Sequence, residues 1–349
     1  MKLRWWILII IVGMLGFLTY RILSFPQRPF GGEGTIEVKK GAGITSVVKE
    51  LAKAGLTDSP RKMDFYLRYV KKVGAKLLAG EYQFGPGTTP EQIAEKLLKG
   101  ERIRRTFTIP EGFNTREIAK LLESKGLVNA GAFLQKVLAF DAAAKAGLDG
   151  TTLEGYLFPD TYEYSKDTGE DQIITLMVKN FKKHFDPKMV GEAQAIGMNK
   201  VQIVTLASLI EKETGKEEER PLISGVFHNR LKLGMPLATD PSVIYGIPNF
   251  DGNIRKSDLE RDTPYNTYLR PGLPPTPIAS PGLKSLQAAL HPAQTDYLYF
   301  VSRNDGSHQF SRTLEEHQAA VQQFQLMRSP TTQPTTMPST LPGTQPSAR

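Results

Sequence analysis

The acidic residues with the clearest chemical promise stand at the end of one apolar run. In VQIVTLASLIEKET, residues 201–214, Leu206, Leu209 and Ile210 form a bulky helical face. Val204, Ala207 and Ser208 form a smaller face that also carries Glu211. A bulky face packs against a core, whereas a small one can line a groove. Near a helix C-terminus the backbone dipole disfavours negative charge, and apolar neighbours do the same, which suits a carboxyl group that must donate a proton. Glu213, two residues on, faces the other side and is harder to place in the same chemistry. The spacing alone also fits a solvated Glu-Lys-Glu run at a helix end.

Other chemistries find little support. With Cys 0, thiolate zinc sites, disulfide scaffolds and cysteine nucleophiles are excluded. His184, His228, His291, His308 and His317 are scattered, without an H-E-x-x-H pattern, so no metal site and no cofactor is expected. There is no G-x-S-x-G elbow, and Ser59-Pro-Arg-Lys62 lacks the motifs that accompany a catalytic S-x-x-K. No Walker A loop or stacking-aromatic motif is present, and nucleic acid is not expected as a partner. The net charge of +8 suits an anionic partner without selecting one.

The elements that would position Glu211 fall into successive regions. Residues 5–20 are uncharged and follow Lys2 and Arg4, which predicts a single N-terminal transmembrane helix within 1–24, with the N-terminus cytoplasmic and the bulk of the chain outside. A Pro/Gly-rich linker occupies 25–34, and a Thr/Pro-rich tail at 329–349 has too few apolar residues to order itself. Between them, IEVKKGAGITSVVKEL, YQFGPGTTPEQIAEKL and FTIPEGFNTREIAKLL share one register around Gly41, Gly87 and Gly112. Each reads as strand, glycine turn and amphipathic helix, with Thr89-Pro90 and the Asn114/Glu117 capping box as helix starts. From 129 to 328 helical patterns precede a long Gly/Pro/Tyr/Asn-rich stretch at 234–281, then a helix, a strand, an Asn304-Asp305-Gly306 turn, a short strand and a last helix. The fold class predicted is α+β.

The repeated spacing, with Ile93-Ala94 and Ile118-Ala119 at the sixth and seventh positions after the glycine, resembles LysM, a small module that binds N-acetylglucosamine-containing glycans; the Asp-Thr expected after the glycine is missing. Further along, LEGYLFPDTY, ASLIEKETG, GVFHNRL, ATDPSVIYG, YNTY, GLPPTPIASPG and HPAQTDYLYFV occur in order. Together they resemble the endolytic murein transglycosylase family, the YceG-like proteins of the bacterial inner membrane.

The resemblance implies a LysM-like region at 35–128 and a catalytic domain at 129–328. It implies lytic cleavage between N-acetylmuramic acid and N-acetylglucosamine inside a peptidoglycan strand, leaving a 1,6-anhydro end and trimming or terminating nascent strands. Because the muramoyl 6-hydroxyl is an intramolecular nucleophile, one carboxyl group suffices. The first glutamate of the E-K-E-T motif falls on Glu211. Tyr265, Asn266 and Tyr268 are candidates to stack on and hydrogen-bond sugars, with Asn229, Thr239 and Asp240 as polar contacts, and all six are equally suited to stabilising loops. Glu154 is the next carboxylate to consider. Peptidoglycan, the membrane through one helix, and cell-wall synthesis enzymes are the implied partners. The rival reading is a membrane-anchored wall-binding scaffold without turnover.

Overall fold

A computed structural model describes residues 13–14, 24–166 and 168–326. The chain divides into two compact units, residues 1–107 with 162–168, and residues 108–161 with 169–349. Both mix helices with short strand pairs, as the α+β class requires. One part of the expectation is corrected. Among the described residues no helix is long and apolar enough to cross a membrane. The longest, the 15-residue helix Glu170–His184, would span only ~22 Å against the ~30 Å of a hydrocarbon core, and it carries charges at both ends. The single-pass helix and the inner-membrane placement built on it are therefore withdrawn. Residues 5–12 and 15–20 of the expected helix, like the tail at 329–349, lie outside the described residues.

In the first unit, strands β1 (Gly34–Val38) and β2 (Gly80–Phe84) pair antiparallel with Ile36 opposite Tyr82. Alternation puts Ile36, Val38, Tyr82 and Phe84 on the buried face. Helices α1 (Ile44–Lys53), α2 (Pro60–Phe65) and α3 (Pro90–Lys99) cover that face with Val47, Leu51, Met63, Ile93 and Leu97. Thr89 and Gln92 close the start of α3 as a reciprocal capping box, with Pro90 in its first turn. Strand β3 (Arg105–Thr108) pairs with β4 (Thr161–Tyr164). The third strand-glycine-helix repeat begins at β3, but its glycine and its helix α4 (Thr115–Ser124) belong to the second unit. Gly41, Gly87 and Gly112 adopt φ of 78°, 76° and 76°, so each turn needs the left-handed conformation that glycine supplies without strain.

The second unit continues with α5 (Ala130–Val137), α6 (Ala142–Lys145), α7 (Glu170–His184), α8 (Pro187–Ala195) and α9 (Lys200–Glu213). Helix α9 is its axis. Asn199 and Gln202 cap its start reciprocally, and every residue from Ile203 to Ile210 is buried. A helix apolar all round must lie inside a bundle, and α9 packs against α10 (Arg220–Lys232) and α13 (Leu283–Leu290). The small face of α9 is thus not a groove wall. Ser208 Oγ accepts the Ile278 N–H at 3.0 Å, so the 277–280 segment covers that face. A side chain at Gly155 would come within 2.5 Å of Pro277 and 3.1 Å of Val204, which is why the covering segment can lie so close.

The stretch at 234–281 contains two short helices, α11 (Asp240–Tyr245) and α12 (Lys256–Leu259). Strands β5 (Tyr299–Ser302) and β6 (His308–Ser311) form a hairpin whose turn holds Asn304 and Gly306 at positive φ, and α14 (Leu314–Val321) follows.

Candidate active site

Glu211 occupies the last turn of α9, where its side chain is 6% exposed. Its Oε1 lies 3.3 Å from Nη2 of Arg220, the first residue of α10, and its Oε2 accepts the N–H of Gly282 at 2.9 Å. Gly282 is the N-cap of α13, so the carboxylate stands at the end of its own helix and at the positive start of another. The nearest charge is therefore a buried guanidinium, which the reading of α9 alone did not include.

Two loops close over this end of α9. Gly112 donates its N–H to the Ser280 carbonyl at 3.0 Å, and Ser280 donates back to the Phe113 carbonyl at 2.8 Å. Lys212 Nζ donates to the Gly112 carbonyl at 3.3 Å. This backbone ladder brings Glu111 to the site, with its Oε2 3.9 Å from the same Arg220 nitrogen and its side chain 49% exposed. Burial and the charge of Glu211 push the Glu111 carboxyl above its ordinary range, and Arg220 opposes the rise. A side chain at Gly282 would fall 1.9 Å from Glu111 Oε1, so the absence of one there makes room for the second carboxylate. Neither Glu111, Arg220 nor Gly282 was singled out from the sequence. A signal did exist, since an acidic residue precedes the glycine only in the third repeat, against Lys40 and Pro86 in the others.

The other predicted residues gather elsewhere. Thr239, Asp240 and Tyr268 collect around Glu213. The Tyr268 hydroxyl donates to Asp240 Oδ1 at 2.7 Å, and Glu213 feels both Asp240 and Arg230. Burial first, and then the Asp240 charge, push Glu213 up to about 7; Thr239, whose buried hydroxyl makes no full hydrogen bond, and Arg230 pull the other way. Just before them, Ala238 sits at φ 48°, a strained position for a residue with a Cβ, held by its N–H to the Thr267 carbonyl.

Asn229 donates to the Thr295 and Tyr297 carbonyls at 2.7 and 3.0 Å. Asn266, fully buried, donates to the Leu259 and Arg261 carbonyls and accepts from the Tyr268 N–H. Both asparagines staple loops. Tyr265 bonds Thr276 at 2.9 Å and packs edge-on against Tyr245. Glu154 is completely buried, accepting from the Thr115 N–H and hydroxyl at the start of α4 and from the Tyr245 hydroxyl at 2.8 Å. Burial raises its pKa and these hydrogen bonds oppose the rise, so it acts as a buried helix cap.

Space for a ligand exists beside Arg220. A cleft of about 820 Å³ is lined by Arg220, Glu217, Leu283, Lys284 and His291 among others. A second, of about 760 Å³, lies against the early turns of α9 with Asn199, Gln202, Thr205 and Asn229, and neither Glu211 nor Glu111 lines either cleft. The first is the relevant one, because it is lined by the arginine that both carboxylates approach. Among the described residues no group of three or more metal-ligating side chains converges.

Comparison with known proteins agrees with this architecture. The model of the YceG-like family matches residues 36–323. An endolytic murein transglycosylase of Bacillus subtilis is 33% identical over 306 residues, covering 83% of this chain and 84% of that protein. One of Streptococcus pneumoniae is 30% identical over 319 residues, covering 82% of this chain but 57% of the longer streptococcal protein. The crystal structure of a yceG-like protein from Listeria monocytogenes superposes with a TM-score of 0.58 at 32% identity, covering 82% of this chain and 98% of that one. A match that runs through both compact units, with the Glu211 helix inside it, means that the chain belongs to the YceG-like family.

Proposed function

We propose that this protein is a lytic transglycosylase that cuts peptidoglycan within the glycan strand, with Glu211 as its single proton donor and acceptor. The observation that carries the reading is the Glu211 carboxyl group. It is nearly buried and held from both sides by the Gly282 N–H and by Arg220, which lines a cleft, in a chain whose relatives are named for this activity. In the first step the protonated Glu211 gives its proton to the glycosidic oxygen as the bond to the muramoyl anomeric carbon breaks. In the second, the 6-hydroxyl of the same sugar attacks that carbon, and Glu211, now a carboxylate, takes the hydroxyl proton. No water is consumed, and the product is a 1,6-anhydro end. The intramolecular attack replaces the second step that ordinary glycosidases assign to another carboxylate.

In this reading the repeats at 35–128 contact glycan and residues 129–328 cleave it, with the Glu111-Gly112 turn contributed by the third repeat. Thr239, Asp240, Tyr265 and Tyr268 are assigned to the walls that receive sugars, and Asn229 and Asn266 to holding those walls. Cuts within the strand would trim nascent glycan, which places the enzyme's work beside strand synthesis. The test is digestion of purified peptidoglycan followed by mass spectrometry for anhydro-muropeptides. Glu211→Gln preserves shape and removes the titratable proton, so release should fall ~10³-fold or more, while the circular dichroism spectrum is retained. Release by Glu211→Gln at near the wild-type rate would refute the assignment. A wild-type protein that binds glycan and releases no anhydro product would refute the activity.

A further inference from the structure

The reaction proposed above needs a proton on Glu211 at its start, yet the Glu211 Oε1 is paired with a guanidinium 3.3 Å away. Arg220 is 7% exposed, so its charge acts with little screening from solvent. The second carboxylate on that guanidinium resolves the conflict. Glu111 Oε2 and Glu211 Oε1 lie 3.9 and 3.3 Å from the same Nη2 atom, so the two oxygens are at most about 7 Å apart. Building on the activity proposed above, we propose that Glu111 is a positioning residue that shares the Arg220 charge, so that one proton is retained between the two carboxylates and Glu211 can start as the acid.

The surroundings are arranged for such sharing. Gly282 serves both groups, because its N–H binds Glu211 and its missing side chain leaves the volume that Glu111 fills. The charges facing Glu111 are few. Helix α9 presents Glu211 and, through the Gly112 carbonyl, Lys212. The segment leading into α10 presents Glu217, and α10 presents Arg220. From α13, Lys284 pairs with Glu217 at 3.6 Å and so offsets the more distant of the two negative neighbours. Glu111 itself is pushed upward by burial and by Glu211, as expected if the two carboxylates compete for one cation and one proton. Its half-exposed side chain also gives that proton a route to solvent.

The experiment measures the pH dependence of kcat/KM for anhydro-muropeptide release by the full-length chain and by its Glu111→Gln and Glu111→Asp variants. Removing the Glu111 charge leaves Arg220 to Glu211 alone. The alkaline limb of the Glu111→Gln profile should then move about one unit to lower pH, so that activity falls up to ~10-fold on the alkaline side of the limb and recovers on acidification. Glu111→Asp should restore part of the limb's position. A Glu111→Gln profile with its limb unmoved overturns the proposal, whatever the loss of rate, because a purely structural residue lowers the curve without displacing it. A second measurement does not depend on turnover. In full-length Glu211→Gln, carbon-detected NMR titration of the Glu111 carboxyl should give a lower midpoint than in the wild type, and an unchanged midpoint would deny the coupling. If the wild type released no anhydro product, the activity would fall, and the titration would still judge the carboxylate pair.

Discussion

Glu213 offers a direct test of how burial acts on the end of α9, independent of any substrate. Its folded-state pKa of about 7 lies above the ordinary 4.5 because burial and Asp240 disfavour its charge. Below the unfolded value both states hold the proton, and Glu213 contributes nothing to the pH dependence of stability. As pH rises from 4.5 towards 7 the unfolded chain ionises first, so the folded state loses relative stability until Glu213 ionises there as well. Converted in full, such a shift would amount to about 3 kcal/mol. The residue keeps some contact with water, and screening reduces the expected effect to about 1–2 kcal/mol. Glu213→Gln carries a neutral group at every pH and removes the effect. Urea unfolding of both proteins at intervals from pH 4 to pH 8 measures it directly. Relative to the wild type, Glu213→Gln should gain about 1–2 kcal/mol between the two ends of the series, most of it between pH 5 and 7. Parallel stability curves, or a variant that loses ground as pH rises, would refute the argument and return Glu213 to a solvated helix end.

Two further outcomes follow from the same physics. Burial alone would raise the pKa of Glu219, but its hydrogen bonds to the His308 ring and N–H hold it below the ordinary range, so the stability it contributes is present above the usual carboxylate range and lost as pH falls below it. Glu219→Gln should therefore destabilise the protein by about 1–2 kcal/mol at neutral pH and by less in acid, read from urea unfolding at several pH values. Gly112→Ala should cost about 1 kcal/mol in strain, since φ is 76° and the added Cβ would lie at an ordinary 3.6 Å from Glu211 Cγ, and thermal unfolding should show the loss with glycan affinity per folded molecule unchanged.

Local rules made much of this protein legible from its residues alone. The period of 201–214 gave the helix, Thr89-Pro90 and Asn114 with Glu117 marked helix starts, and Gly41, Gly87 and Gly112 marked turns that do adopt positive φ. Each of these depends on interactions within a few residues, which a linear reading captures, and the ordered motifs located the family and placed Glu211 near the end of its helix. The facing argument was less complete, because the face read as a groove wall is covered by the 277–280 segment through Ser208 and Gly155.

What the tertiary structure alone decided is the company of each carboxyl group. Thr239, Asp240 and Tyr268 surround Glu213 rather than Glu211, and Glu154 is spent on the start of α4. Glu111 and Gly282 reach Glu211 because a backbone ladder between Gly112, Phe113 and Ser280 closes the loops over α9, across separations no local propensity encodes. A charge's effect depends on distance and burial in space, and neither is set by position along the chain. Sequence could therefore nominate Glu211, whereas only the folded chain could place a shared arginine and a second carboxylate beside it.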